Sequence, residues 1–147
     1  MQKIYLLSPF CETKYDSPQY SLNYIKYALI DSGHPCEVID CAYHDPEYDE
    51  IVDILKQDPK PIVGITGYTR ERHHAYRLIR RLRKEVPDAF IVVGGRHFGF
   101  LAEESLTKLP EIDIVVRGEG EVTFREICEA VMASAGFDDI VGISFRK

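Results

Sequence analysis

Two glycine-bearing turns hold the residues of this sequence best suited to grip a ligand. The run Val115-Val116-Arg117-Gly118-Glu119-Gly120-Glu121-Val122-Thr123-Phe124 reads as a buried strand that breaks at a Gly-Glu-Gly turn and restarts as a helix. Upstream, Ile91-Val92-Val93-Gly94-Gly95-Arg96-His97 repeats the device. Glycines leave the backbone bare, and the carboxyl ends of parallel strands are where open sheets hold their ligands. Two bare ends on neighbouring strands suit a flat or extended ligand laid across the top of the sheet. A third turn, Thr66-Gly67-Tyr68-Thr69, adds hydroxyls for amides, phosphates or ribose. Glycine at 95 and 118 also fits plain tight turns; three such loops along one edge favour the ligand.

Other chemistries find less support. No G-x-G-x-x-G follows the first strand and no phosphate-cradling P-loop is present, so Asp40, placed to hold a ribose, lacks its glycines. His34, His44, His73, His74 and His97 show no metal-ligand spacing, and a zinc helix of the HExxH type is absent. His97 follows the paired glycines and suits either a ligand contact through an imidazole N–H or a structural role in the turn. Ser8, Thr66, Thr69 and Thr123 read as hydrogen-bonding hydroxyls, without a Ser–His–Asp arrangement. Cys11, Cys36, Cys41 and Cys128 form no CxxC pair. Cys36 and Cys41 fall on opposite faces of one strand, which argues against a disulfide. Cys11 sits in a loop at the sheet top, within a ligand's reach.

Those loops need a scaffold, and the apolar pattern supplies one. Strands are expected at residues 3–8, 37–41, 62–66, 89–93, 112–116 and 140–145, and helices at 20–32, 48–57, 70–86, 101–109 and 122–135. Leu22, Ile25, Leu29 and Ile30 mark one helical stripe, and Ala75, Leu78, Ile79 and Leu82 another. Short strands alternating with helices mean βαβ units. The expectation is therefore a doubly wound α/β domain, Rossmann-like or flavodoxin-like, with a five-to-six-stranded parallel sheet between helix layers. The expected order is 2-1-3-4-5, with the sixth strand at an edge.

The 147 residues suffice for one domain with a core, and 45% hydrophobic with 29% charged residues is an ordinary soluble balance. No apolar run reaches the ~20 residues of a membrane span, and the start reads as a strand rather than a signal peptide, so a cytoplasmic setting is expected. A formal net charge of -6 argues against general nucleic-acid binding. Arg70, Arg72, Arg77, Arg80, Arg81, Arg83 and Lys84 nonetheless crowd one helix. They make a solvated face, or a contact surface for another domain or an anion.

Taken together, these motifs resemble the cobalamin (vitamin B12)-binding domain that precedes the catalytic barrel in cobalamin-dependent radical S-adenosylmethionine enzymes. The resemblance rests on Ser21-Leu22-Asn23-Tyr24-Ile25 through Ser32-Gly33-His34 and Val38-Ile39-Asp40, on Ile62-Val63-Gly64-Ile65-Thr66 with Thr69, on Val92-Val93-Gly94-Gly95-Arg96-His97, on Asp113 through Glu121 with Thr123-Phe124, and on Gly142-Ile143-Ser144-Phe145-Arg146. It covers the whole chain, which would be one cobalamin-binding domain over residues 1–147, the N-terminal part of a longer protein.

The resemblance implies cobalamin held at the carboxyl edge of the sheet. The contacts it implies come from Ser8, Phe10 and Cys11 after the first strand, Asp40 after the second, and Thr66, Gly67, Tyr68 and Thr69 after the third. Gly94, Gly95 and His97 follow the fourth, and Arg117, Gly118, Glu119, Gly120, Glu121 and Thr123 the fifth. The cobalt's lower face would look at residues 67–70, the tail would run along Gly94-Gly95, and the loop at 117–121 would meet the nucleotide end or the corrin amides. In methionine synthase and the mutases an Asp-x-His-x-x-Gly motif after the first strand supplies a histidine to cobalt. Residues 8–20 hold no histidine, so a base-off, His-off mode is expected, and no side chain here is assigned as a metal ligand. The iron–sulfur motif CxxxCxxC is absent, so the cluster and S-adenosylmethionine belong to a barrel outside this sequence. This chain alone would bind cobalamin and catalyse nothing; methyl transfer would be the parent enzyme's reaction. The alternatives are a nucleotide or other small-ligand module of the same fold, and an interaction domain working through the basic helix.

Overall fold

The central strands are apolar because helices cover them on both faces, whereas the edge strand Cys36–Asp40 buries only Ile39. β1 (Ile4–Ser8) is buried along its whole length, and β2 (Cys36–Asp40), β3 (Ile62–Thr66), β4 (Phe90–Gly94) and β5 (Ile114–Val116) run parallel to it. With β6 (Ile143–Phe145) the order is β2-β1-β3-β4-β5-β6, in a computed structural model that describes residues 2–12 and 20–147. Residues 13–19, the middle of the first ligand-facing loop, lie outside the described residues.

The helices are α1 (Tyr20–Asp31), α2 (Asp49–Leu55), α3 (Arg72–Glu85), α4 (Gly95–Phe100), α5 (Ala102–Lys108) and α6 (Glu121–Met132). One sheet face carries Tyr5, Leu7, Val63, Ile65, Ile91, Val93 and Val115, packed with residues of α2 and α3. In α3 the buried residues are Ala75, Leu78, Ile79 and Leu82, the stripe read from the sequence. Each such buried Leu or Ile contributes about 1.5–3 kcal/mol. The opposite face carries Ile4, Leu6, Ile62, Val92, Ile114 and Val116 beneath Leu22 and Leu29 of α1 and Phe124, Ile127 and Cys128 of α6.

α1 ends as a helix closed by glycine should. Gly33 takes φ +82°, Gly33 N–H donates to Ile30 O at 2.9 Å and His34 N–H to Leu29 O at 2.8 Å. Ile30, expected in the stripe, is 48% exposed because it stands a further 100° round the helix from Leu29.

Three expectations are corrected. The sheet is not wholly parallel: β6 pairs antiparallel with β5, Val116 opposite Ile143 and Ile114 opposite Phe145. After α6 the chain climbs the sheet through Phe137 and Ile140 and enters β6 from the top, which an edge position permits. Residues 95–100, read as loop, form α4, because the positive φ of Gly95 turns the chain at once from β4 into helix. The second strand is one residue earlier than expected, since Asp40 caps a 3-10 turn over Cys41–Tyr43, its carboxylate accepting from Ala42 N–H at 3.0 Å.

Candidate functional site: a cleft at the carboxyl edge of the sheet

The site begins with a gap in one row of the sheet. Leu6, Gly64, Val92 and Ile114 are register partners across β1, β3, β4 and β5, facing α1 and α6. Gly64 puts no side chain into that row. A Cβ there would stand 2.9 Å from both Leu6 Cδ2 and Phe124 Cζ, so the row must stay low at its middle. Above it opens a cleft of about 640 Å³ between the sheet and helices α1 and α6. That is the size range of a site that buries one drug-sized group.

The cleft has an apolar floor and a polar mouth. Leu6, Leu22, Val92, Val116 and Phe124 line it as buried side chains. Its polar side chains, Ser21, Thr66, Tyr68, Arg96, Arg117, Glu119 and Glu121, are half-buried or exposed. Thr66, Arg96 and Arg117 to Glu121 stand at or beyond the carboxyl ends of β3, β4 and β5. The rim loop is anchored from β6: Arg117 N–H donates to Gly142 O at 2.8 Å and its guanidinium to Ile143 O at 3.0 Å. Gly120 O accepts from Phe124 N–H at 2.8 Å as α6 starts.

Glycine is required at the rim for two reasons. Gly95 has φ +88°, and a Cβ on it would lie 2.7 Å from Thr66 Oγ1 and 3.0 Å from Gly67 N and O. Gly118 has φ +82° with nothing within 4 Å of its would-be Cβ, so it faces open space at the mouth.

The structure gathers some of the residues singled out in the sequence and separates others. Thr66, Tyr68, Gly94, Gly95, Arg117, Gly118, Glu119, Gly120 and Glu121 line one cleft. Ser8, Phe10, Cys11, Asp40, Gly67, Thr69, His97 and Thr123 do not line it. Phe10 packs against the core of the α2/α3 face, its N–H donating to Tyr48 Oη at 3.0 Å. Cys11 Sγ lies 3.6 Å from Glu71 Oε1. His97 is buried, with Thr69 Oγ1 at 3.1 Å from Nδ1 and Tyr76 Oη at 2.6 Å from Nε2. Its backbone N–H donates to Gly67 O at 3.2 Å, so it ties the loop after β3 to α4. Burial, and then the Arg72 charge, hold this imidazole below its ordinary pKa.

Leu6, Leu22, Ile25, Gly64, Val92, Val116 and Phe124 were not foreseen as site residues. A glycine in mid-strand was the available signal, since it marks a close approach; strand alternation would then have added Leu6 and Val92. The basic helix proves largely engaged within the molecule. Arg77 pairs with Glu47 at 2.7 Å, Arg81 with Asp49 at 2.7 Å and Arg83 with Asp113 at 2.9 Å. None of the four cysteines is in a disulfide among the described residues, and burial raises Cys41 to about 12. Among the described residues no group of His, Cys, Asp and Glu could hold a metal ion, and no helix is long and apolar enough to cross a membrane.

Comparison with known proteins adds an independent finding. Residues 10–128 match the family model described as B12 binding domain. An uncharacterized methyltransferase of Pyrococcus horikoshii is 32% identical over 130 residues, covering 88% of this chain and 28% of its own length. An anaerobic magnesium-protoporphyrin IX monomethyl ester cyclase of Synechocystis is 32% identical over 132 residues, covering 88% of this chain and 26% of its own. The chain thus spans under a third of these relatives. The radical S-adenosylmethionine methyltransferase TsrM of Kitasatospora setae, solved with cobalamin and a [4Fe-4S] cluster, superposes over 100% of this chain and 29% of its own at TM-score 0.80 and 22% identity. A pilus assembly-related protein of Burkholderia pseudomallei shares the fold at TM-score 0.63 and 13% identity, so architecture alone does not select a ligand.

Proposed function

This chain belongs to the B12-binding domain family, and from that premise we propose that cobalamin lies across the carboxyl edge of the sheet with its nucleotide tail in the cleft between the sheet, α1 and α6. The observation that carries the reading is that cleft: apolar below, polar at the rim, with a floor where Leu6 and Phe124 close over Gly64. Gly94, Gly95 and the loop from Arg117 to Glu121 would flank the tail, their exposed backbone and charged side chains serving the phosphate and amide groups. Thr69 and the loop Gly67–Tyr68 would lie towards the lower face of the corrin, held by His97. With no histidine between residues 8 and 20, the tail base would be off cobalt and no protein imidazole from that loop would replace it.

Bound cobalamin would supply a methyl carrier, while the protein positions it. The parent reaction we propose is methyl transfer, in a longer protein whose radical S-adenosylmethionine barrel brings the iron–sulfur cluster and S-adenosylmethionine. The Pyrococcus horikoshii relative, of which this chain spans only part, carries a methyltransferase name, which supports that assignment. Cysteines outside any disulfide agree with the reducing cytoplasm.

The test is a titration of the 147-residue chain with hydroxocobalamin, followed by visible absorption. Stoichiometric binding with a base-off spectrum is expected. Gly118→Tyr, which fills the open mouth, should weaken binding about tenfold or more while leaving the circular dichroism unchanged. No spectral change at high micromolar cobalamin, with saturable binding of a nucleotide instead, would overturn the reading.

A further inference from the structure

The lining of the cleft says which lower base it would accept. This inference rests on the reading that the corrinoid tail enters there. Every buried side chain of the lining is hydrocarbon, Leu6, Leu22, Val92, Val116 and Phe124 among them, none more than 5% exposed. The buried polar side chains of the described residues, Ser8, Asp58, His97 and Ser105, all lie elsewhere. In the middle of the floor the strand amides and carbonyls are already used by the ladder, β3 pairing with both β1 and β4 through Gly64. The polar lining begins only at the mouth, with Ser21, Thr66 and Tyr68.

We propose that this cleft selects corrinoids by the polarity of the lower base, taking a benzimidazole and discriminating against a purine such as adenine. The two bases have similar bicyclic outlines. A dimethylbenzimidazole presents methyl groups and ring edges that gain by leaving water. Adenine presents an exocyclic amino group and additional ring nitrogens, which would leave water without a donor or acceptor to meet them. An apolar pocket rejects an isostere that adds a polar group by a factor on the order of a hundred at most, so the discrimination expected here is moderate. Shape does little here, and the absence of partners does most.

The experiment measures affinities of the full 147-residue chain for three corrinoids under anaerobic conditions. They are cobalamin, its adenine-based counterpart pseudocobalamin, and cobinamide, which has no nucleotide. All are compared in the cob(I) state, where cobalt carries no lower ligand, so that the cost of detaching the base does not differ between them. Cobalamin is expected to bind at least about tenfold more tightly than pseudocobalamin, and more tightly than cobinamide, which has no tail to place in the cleft. Val92→Thr, which keeps the shape and adds a hydroxyl to the floor, should narrow the gap between the two bases; its fold is checked by circular dichroism.

The outcomes separate the two claims. Equal affinity for cobalamin and pseudocobalamin, both well above cobinamide, would overturn base selection and leave the tail in the cleft. Equal affinity for all three would overturn the tail reading and the selection with it. Tighter binding of pseudocobalamin would also overturn the selection.

Discussion

Two rim glycines with nearly the same backbone angle stand in opposite surroundings, and that difference is measurable. Gly95 and Gly118 have φ +88° and +82°. A methyl group at 95 would overlap Thr66 Oγ1 and the Gly67 backbone, whereas at 118 it meets nothing. Gly118→Ala should therefore cost only the left-handed strain, about 1–2 kcal/mol. Gly95→Ala adds overlap with backbone and should cost about 2–4 kcal/mol, read by chemical denaturation. Equal losses would show that the packing behind Gly95 yields freely. His97 offers a second residue-scale outcome. Its folded pKa is depressed by burial and by Arg72, so protons bind the unfolded chain more readily. Its contribution is present above the ordinary value of 6.5 and is lost as pH falls through the folded value. His97→Gln should flatten the decline in melting temperature below pH 6.5 relative to the native chain; an unchanged slope would assign that decline to other groups. The sequence placed His97 at the sheet top because it follows Gly94-Gly95, but not its orientation. That depends on Tyr76, one turn into α3 and 21 residues away, which no local pattern reveals.

At the scale of elements, charge patterning in the sequence was ambiguous where geometry is not. A run of arginines on α3 reads first as a solvated face and second as a docking surface. Arg83 does neither. Its guanidinium donates to Pro87 O, Ala89 O and Glu111 O, and to Asp113 Oδ2, which also accepts from Ile91 N–H at 2.8 Å. One side chain thereby binds the end of α3 to the starts of β4 and β5. Arg83→Ala should cost about 2–3 kcal/mol, since it strands partly buried carbonyls and a carboxylate. Arg80→Ala, exposed on the same helix, should stay within about 0.5 kcal/mol. Equal effects of the two would make the Arg83 contacts incidental. The strands and long helices were legible because period-2 and period-3.6 patterns are local consequences of burial; the α3 stripe and β3 were read to the residue. The direction of β6 was not. An edge strand of Ile-Ser-Phe has the same composition whichever way it runs, and the turn that sets it lies in the climb through Phe137 and Ile140. The floor of the cleft was signalled only by the mid-strand Gly64, because Leu6 and Val92 join it through register.

For the whole molecule, β6 is where stability and ligand binding meet. Phe137 sits between Phe90 and Phe145, with ring centroids 5.6 and 5.7 Å apart. Arg146 reaches Ile112 O and Leu109 O, closing the segment after α5. The same strand, through Gly142 O and Ile143 O, fixes Arg117 at the rim. Removing residues 137–147 should therefore do two things at once. The loss of apolar packing should cost on the order of 4 kcal/mol, a large share of the 5–15 kcal/mol typical of a domain. It should also free the rim loop and weaken cobalamin binding. Thermal melts with and without cobalamin separate the two. Ligand at about a hundredfold over its dissociation constant adds about 2.7 kcal/mol, which for this size raises the melting temperature by about 5–10 °C. In the truncated chain, at the same cobalamin concentration, the baseline should fall and the cobalamin-dependent rise should shrink. A lower baseline with an undiminished rise would mean that β6 supports the sheet alone and that the Arg117 loop keeps its shape without it.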